Sequence, residues 1–225
     1  MSINIVEKID GLVKVRHVLV SVSDKRGLDT FIPELVGLNP EIKLFSTGGT
    51  FNAIHEILGE SAAQHLTQVS DFTGQPETQG GLVKTLDFKI YLGLLTETYN
   101  DAHQADLKRT NSVPIDMVVV NLYPFKETIS QPDVTVENAR GNIDIGGPCM
   151  IRASAKNFIR VASVVDPTDY EKIITELKQH NGAISLDLRF HLAQKAFEHT
   201  AIYDRTIADF LMSKSSEDAK SCYNF

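Results

Sequence analysis

Short runs of β-branched and apolar residues alternate along this chain with segments whose apolar positions recur at helical spacing. Val18-Leu19-Val20-Ser21-Val22 predicts a buried strand, and Ile42-Lys43-Leu44-Phe45-Ser46 a second. Residues 89–95, 117–121 and 161–165 complete a set of at least five. Between them, Phe51, Ile54, Ile57 and Leu58 share one helical face, with Gly59 as a C-terminal stop. Thr168-Asp169-Tyr170-Glu171 reads as a capping box ahead of Ile173, Ile174 and Leu177. A helix after Asp24 contains Pro33, which is expected to kink or restart it. Continuous apolar strands alternating with helices imply an α/β fold, a mainly parallel sheet covered on both faces. From about residue 185, Leu188, Leu192, Ala196 and Phe197, then Ile207, Phe210 and Leu211, repeat at helical spacing and predict a helical C-terminal extension. The expected organisation is one domain over residues 1–212 and a polar tail over 213–225.

Composition narrows the function classes. An apolar content of 42% in 225 residues is enough for one sizeable core. A net charge of −7 without a basic cluster argues against nucleic acid as a partner, although one local cradle can still hold a phosphate. Cys149 and Cys222 are too few for a disulfide framework, and no Cys or His pair has metal-ligand spacing. Glu7, Lys8 and Asp10 stand where a signal peptide needs an apolar run, and no apolar run is long enough for a bilayer. A cytoplasmic protein without a membrane partner is the expectation.

Polar clusters follow the predicted strands, where open parallel sheets bind ligands. Strand one runs into Ser21-Val22-Ser23-Asp24-Lys25, and strand two into Ser46-Thr47-Gly48-Gly49-Thr50. Hydroxyls and glycines that open a helix offer backbone N–H groups to an anion, though such turns also serve as plain helix caps. A third cluster is Gly80-Gly81-Leu82-Val83-Lys84-Thr85-Leu86-Asp87, and a fourth is Asn121-Leu122-Tyr123-Pro124-Phe125. The fifth places Asp144 ahead of Gly146-Gly147-Pro148 and, twelve residues after the aspartate, Lys156. Its glycines permit close backbone approach to a ligand, and the proline suits a first helical turn. A sixth block is Lys195-Ala196-Phe197-Glu198-His199-Thr200-Ala201.

In this order the blocks resemble the inosine monophosphate (IMP) cyclohydrolase domain of the bifunctional purine-biosynthesis enzymes. In that family the domain is fused to an aminoimidazole carboxamide ribonucleotide formyltransferase. The resemblance spans roughly residues 13–212. It implies a methylglyoxal-synthase-like three-layer fold, a homodimer, and closure of a formylated purine-precursor ribonucleotide to IMP with loss of water. No cofactor and no metal are implied. Carried onto this sequence, Lys84, Tyr123, Asp144 and Lys156 take catalytic positions. Ser23, Lys25, Ser46, Thr47, Gly48, Gly49, Thr50, Thr85, Asn121, Gly146 and Gly147 take substrate-binding positions.

Those residue types suit the reaction. A carboxamide nitrogen is a poor nucleophile, so a carboxylate that takes its proton helps, and Asp144 fits that role. Lys84 and Lys156 can oppose charge growing on the formyl oxygen, with Tyr123 orienting it. One segment departs from the family pattern, which reads Gly-Arg-Val-Lys-Thr-Leu-His-Pro-Lys with a later His-Gly. Leu82 replaces the arginine, Asp87 and Phe88 the His-Pro, and Tyr91 and Leu92 the His-Gly. Loss of an arginine from an anion site removes about 1.5–3 kcal/mol, roughly ten- to a hundredfold in affinity. Three readings follow: an active cyclohydrolase, a weakened nucleotide-binding or interaction protein of the same family, and a methylglyoxal-synthase-type lyase. The Asp144 and Lys156 blocks favour the nucleotide reaction over the lyase. Family members continue into the transferase domain where this chain ends, so it reads either as a trimmed piece or as a free-standing cyclohydrolase-like protein. No transferase activity is assigned to it.

Overall fold

The computed structural model describes residues 5–75 and 85–224. Gly80, Gly81, Leu82, Val83 and Lys84 lie outside the described residues. The chain runs through β1 (Leu12–Lys14), β2 (His17–Val22), α1 (Leu28–Leu38), β3 (Lys43–Ser46), α2 (Gly48–Leu58) and α3 (Ala62–His65). There follow β4 (Leu66–Gln68), α4 (Val69–Thr73), α5 (Phe88–Leu95), α6 (Asp101–Arg109) and β5 (Met117–Asn121). Next come α7 (Phe125–Ile129), α8 (Val136–Gly141), α9 (Gly146–Lys156), β6 (Ala162–Val164) and α10 (Tyr170–Gln179). The described chain closes with β7 (Ala183–Ser185), the long α11 (Leu186–Met212) and α12 (Ser216–Lys220).

Five strands form an all-parallel sheet in the order β4-β3-β2-β5-β6. Because successive side chains point to opposite faces, one apolar strand serves two cores. In β2, Val18, Val20 and Val22 join Leu44, Met117 and Val119 against α1, α2 and α10. Leu19 faces the other way and joins Phe45, Val118 and Val120 against α5, α7, α9 and α11. The result is a three-layer α/β/α sandwich of the class the sequence implies. A separate antiparallel ribbon pairs β1 with β7. Arg189 of α11, fully buried, pins it by donating to the carbonyls of Ile184, Asp10, Phe158 and Ile159.

Four predicted strands are present, and one expectation fails. Residues 89–95 form helix α5 rather than a strand. After Lys89 the run to Leu95 carries no charged residue, so it shows no period that separates the two states. Locally the cap decides: the Asp87 side chain accepts from the Lys89 backbone N–H at 2.8 Å, and Ile90, Gly93 and Leu94 turn inward at helical spacing. Gly93 lies so close to Val113 that a Cβ there would stand 2.6 Å from its carbonyl oxygen. The fifth strand is instead β4, three residues long.

Smaller corrections concern helix ends. Pro33 sits inside α1, which runs on as one helix. The start near residue 168 is capped two residues earlier, where Asp166 accepts from the Thr168 backbone N–H and a short 3-10 turn leads into α10. In the polar tail, Ser215 and Asp218 form a reciprocal capping box that opens α12.

Two histidines sit in surroundings that disfavour their charged form. Burial holds His17 and His199 below the ordinary value of 6.5, and His199 Nε2 has no hydrogen-bond partner among the described residues. A depressed folded value means that the unfolded chain binds the proton more readily. Stability is therefore complete above pH 6.5 and falls as pH drops through the folded value. Thermal melts between pH 7.5 and 5 should show this decline, with a shallower slope in His199→Gln. Parallel slopes would remove His199 as a contributor.

Candidate active site

The carboxyl ends of β2, β3 and β5 open onto one cavity of about 360 Å³. Ser23 and Lys25 reach it from the loop after β2, and Thr47, Gly49 and Thr50 from the start of α2. Asn121 and Tyr123 come from the end of β5, and Asp144, Gly146 and Gly147 from the start of α9. Thr85 closes one side. Eleven of the fifteen sequence-predicted residues thus line a single space, although they are spread from position 23 to position 147.

Two helix N-termini are aimed at this space, which suits an anion. Neither Thr47, the N-cap of α2, nor Ile145, that of α9, supplies a side-chain cap. At α9 the Asp144 carboxylate does part of that work, its Oδ1 accepting from the Gly147 backbone N–H at 2.9 Å. Close packing explains the paired glycines. A Cβ on Gly147 would come within 2.6 Å of both Asp144 Oδ2 and Leu122, and one on Gly146 would overlap the Thr85 hydroxyl. Lys25 Nζ stands 3.5 Å from the Ser23 carbonyl, an exposed cation at the rim. Tyr123 is half exposed there.

Several predicted ligand groups are committed to the fold. Asn121 Oδ1 accepts from the Ser23 and Asp24 backbone N–H groups at 2.7 and 2.9 Å, and its Nδ2 donates to the Asp24 carbonyl. It shapes the loop that carries Ser23. The Thr50 hydroxyl accepts from the Val22 N–H and donates to the Val22 carbonyl, fastening α2 to β2. Ser46 is fully buried with its hydroxyl on the Val20 carbonyl, and it does not line the cavity. Gly48 supplies a turn with φ of 50°, also without lining the cavity.

The two lysines with proposed chemistry are not both placed. Lys84 lies outside the described residues. Lys156 is exposed at the far end of α9, ten residues and about 15 Å of helix from Gly146, and the structure does not bring it to this cavity. Among residues given no site role from the sequence, Ile143, Ile145 and Met150 give the cavity an apolar side. Ile145 was readable, since it stands between Asp144 and the glycines. Tyr203 of α11 does not line the cavity, yet its hydroxyl accepts from the Asp144 backbone N–H at 2.8 Å.

Among the described residues, no cluster of three or more His, Cys, Asp or Glu could hold a metal ion, and no helix is long and apolar enough to cross a membrane.

Comparison with known proteins agrees with the fold. The MGS-like domain profile matches residues 27–149, and the profile of the AICARFT/IMPCHase bienzyme matches residues 154–224. The chain is 48% identical over 201 residues to the bifunctional purine biosynthesis protein PurH of Thermoanaerobacter sp. (strain X514), covering 89% of this chain and 38% of that protein. It is 49% identical over 199 residues to the PurH of Lactiplantibacillus plantarum, covering 88% and 37%. The chain therefore spans about two fifths of the length of the curated relatives it matches. The crystal structure of ForH superposes with a TM-score of 0.73 at 29% identity, covering 88% of this chain and 99% of that one. With a parallel five-stranded sheet, a site at its carboxyl ends and a profile match across more than half its length, this chain belongs to the family of MGS-like domains.

Proposed function

We propose that this chain closes a formylated aminoimidazole carboxamide ribonucleotide to IMP, releasing water. What carries the reading is the meeting, in one cavity, of a carboxylate held by a helix N-terminus (Asp144) with a phenol (Tyr123) and a second helix start suited to a phosphate. The PurH relatives are named as purine biosynthesis proteins and the matching profile as an AICARFT/IMPCHase bienzyme, which supports a substrate from purine biosynthesis.

The start of α2 at Thr47 and Gly49 and the rim cation Lys25 hold the phosphate. Anchored there, the nucleotide presents its two arms to each other, and the intramolecular attack gains from positioning. Asp144 takes a proton from the carboxamide nitrogen as that nitrogen attacks the formyl carbon. Tyr123 gives its proton to the formyl oxygen as negative charge grows there. The hydroxyl so formed takes the proton held by Asp144 and leaves as water, while the formamide nitrogen returns its own proton to the Tyr123 phenolate and forms the ring C=N bond. Lys84 and Lys156 enter this scheme through the family resemblance alone. A homodimer, a cytoplasmic location and a formyltransferase working with this domain belong to the same proposal. Incubation of the purified chain with the formylated ribonucleotide tests it directly, because IMP must appear faster than in buffer. No acceleration overturns the reading.

A weaker, binding-only protein is the second reading, and the departures at Leu82, Asp87 and Phe88 motivate it. Here the structure adds one fact: Asp87 caps α5 and is buried, so its charge has a structural task. Leu82→Arg should raise IMP affinity by roughly ten- to a hundredfold in calorimetric titration, the scale of one charge-assisted contact. No gain in that variant, or in Leu82→Arg combined with Asp87→His and Phe88→Pro, would mean the segment no longer serves the nucleotide.

A further inference from the structure

Asp144 sits on a short loop between α8 and α9, and a loop places a carboxylate only as well as it is itself held. The hold comes from a side chain 59 residues later in the sequence. Tyr203 Oη accepts from the Asp144 backbone N–H at 2.8 Å and stands 3.4 Å from the Asn142 carbonyl, to which it donates. Both hydrogen-bonding capacities of one phenol are spent on the segment that delivers Asp144.

The ring of Tyr203 is fixed in turn. Only 8% of the residue is exposed, and its ring meets Phe125 edge-on with centroids 6.1 Å apart. Phe210, two turns further along α11, packs edge-on against the same Phe125 at 6.0 Å. Phe125 opens α7 two residues after Tyr123, and the Phe125 N–H is bonded to the Tyr123 carbonyl at 2.7 Å. One side chain of α11 therefore touches both loops, its ring on the segment behind Tyr123 and its hydroxyl on the backbone of Asp144. Burial raises the phenol's pKa, so it remains a donor throughout the neutral range.

We infer that Tyr203 is a positioning residue for the reaction, a strut on α11 that sets the spacing between the Tyr123 loop and Asp144. It touches no substrate and acts through Asp144. The inference rests on the cyclohydrolase reading and extends it to a residue outside the cavity. General-base catalysis falls off when the base leaves hydrogen-bonding reach of its proton, so a loosened Asp144 costs turnover more than binding.

Two variants separate this role from packing. Tyr203→Phe keeps the ring and deletes the hydroxyl, whereas Phe210→Leu disturbs the same aromatic cluster and keeps the hydroxyl. Steady-state kinetics on the formylated ribonucleotide, IMP titration and thermal melts are run on both alongside the unaltered chain. Tyr203→Phe is expected to lower kcat roughly five- to thirtyfold, the loss of one buried hydrogen bond, with KM and IMP affinity within about twofold. Phe210→Leu is expected to lower Tm while kcat stays within about twofold. If Tyr203→Phe turns over like the unaltered chain, the strut is overturned while the cyclohydrolase reading stands. If both variants lose turnover in proportion to lost stability, Tyr203 is a packing residue and the inference is equally overturned. An unaltered chain that forms no IMP removes the function reading, and the strut with it.

Discussion

Asp144→Asn is expected to lower kcat for IMP formation at least a hundredfold while IMP affinity changes only a few-fold. The substitution is nearly isosteric, so the Gly147 N–H keeps an oxygen acceptor in place of Asp144 Oδ1. The Tyr203 bond is made to the backbone of residue 144 and survives as well. Only the ability to take up a proton is lost, and a positioned general base contributes on the order of 10²–10⁴. The separation of kcat from binding identifies the role, because loss of an anchor would raise KM instead. Stopped-flow measurement on the formylated ribonucleotide, paired with IMP titration, checks it. An unchanged kcat would exclude Asp144 from the chemistry, whatever its place in the cavity.

How far the sequence carries depends on what each signal means physically. Strands β2, β3, β5 and β6 were legible because a parallel strand covered by helices on both sheet faces is buried on both sides, which writes a largely apolar run. The same rule misled at residues 89–95, where a short helix buried on one side has only Lys89 at its start and the Tyr91 hydroxyl as polar marks, too few to reveal its period. Strand β4 was invisible for the opposite reason. Leu66-Thr67-Gln68 is an edge of three half-buried residues, whose pairing with β3 comes from the sheet and not from their own propensity. At the site, the motif blocks mark which loops converge but not what each side chain does there. Asn121 and Thr50 carry the hydrogen-bonding groups that a ligand would use, and both spend them on backbone. Tyr203 falls in the helical pattern just beyond Lys195-Ala196-Phe197-Glu198-His199-Thr200-Ala201. Nothing local distinguishes it from a core aromatic, since its partner is 59 residues away.

Arg160→Met is expected to give the largest loss of stability, about 3–5 kcal/mol, without touching the cavity. Arg160 is 4% exposed at the amino end of the sheet, opposite the candidate site. Its Nη1 lies 3.0 Å from Asp116 Oδ1, Nε donates to the Thr96 carbonyl, and Nη2 donates to the carbonyls of Gly93 and Ile115. Asp116 Oδ2 in turn accepts from the Arg16 and His17 N–H groups at 2.9 and 3.0 Å, which fixes the entry into β2. Methionine fills much of the volume but leaves a buried carboxylate without its guanidinium partner and three carbonyls without this donor. Breaking one side of a buried ion pair costs about this much. For a chain of this size each kcal/mol lowers Tm by roughly 2–4 °C, so the melt should move down by about 6–20 °C. Adding Asp116→Asn to Arg160→Met should recover part of the loss, because the uncompensated charge is then gone while the backbone N–H groups keep an acceptor. IMP affinity, measured well below the lowered melt, should be unchanged. A single variant that loses less than about 1 kcal/mol would mean that water already shares this joint, and that the burial of the pair contributes little to holding β2 and β5 in register.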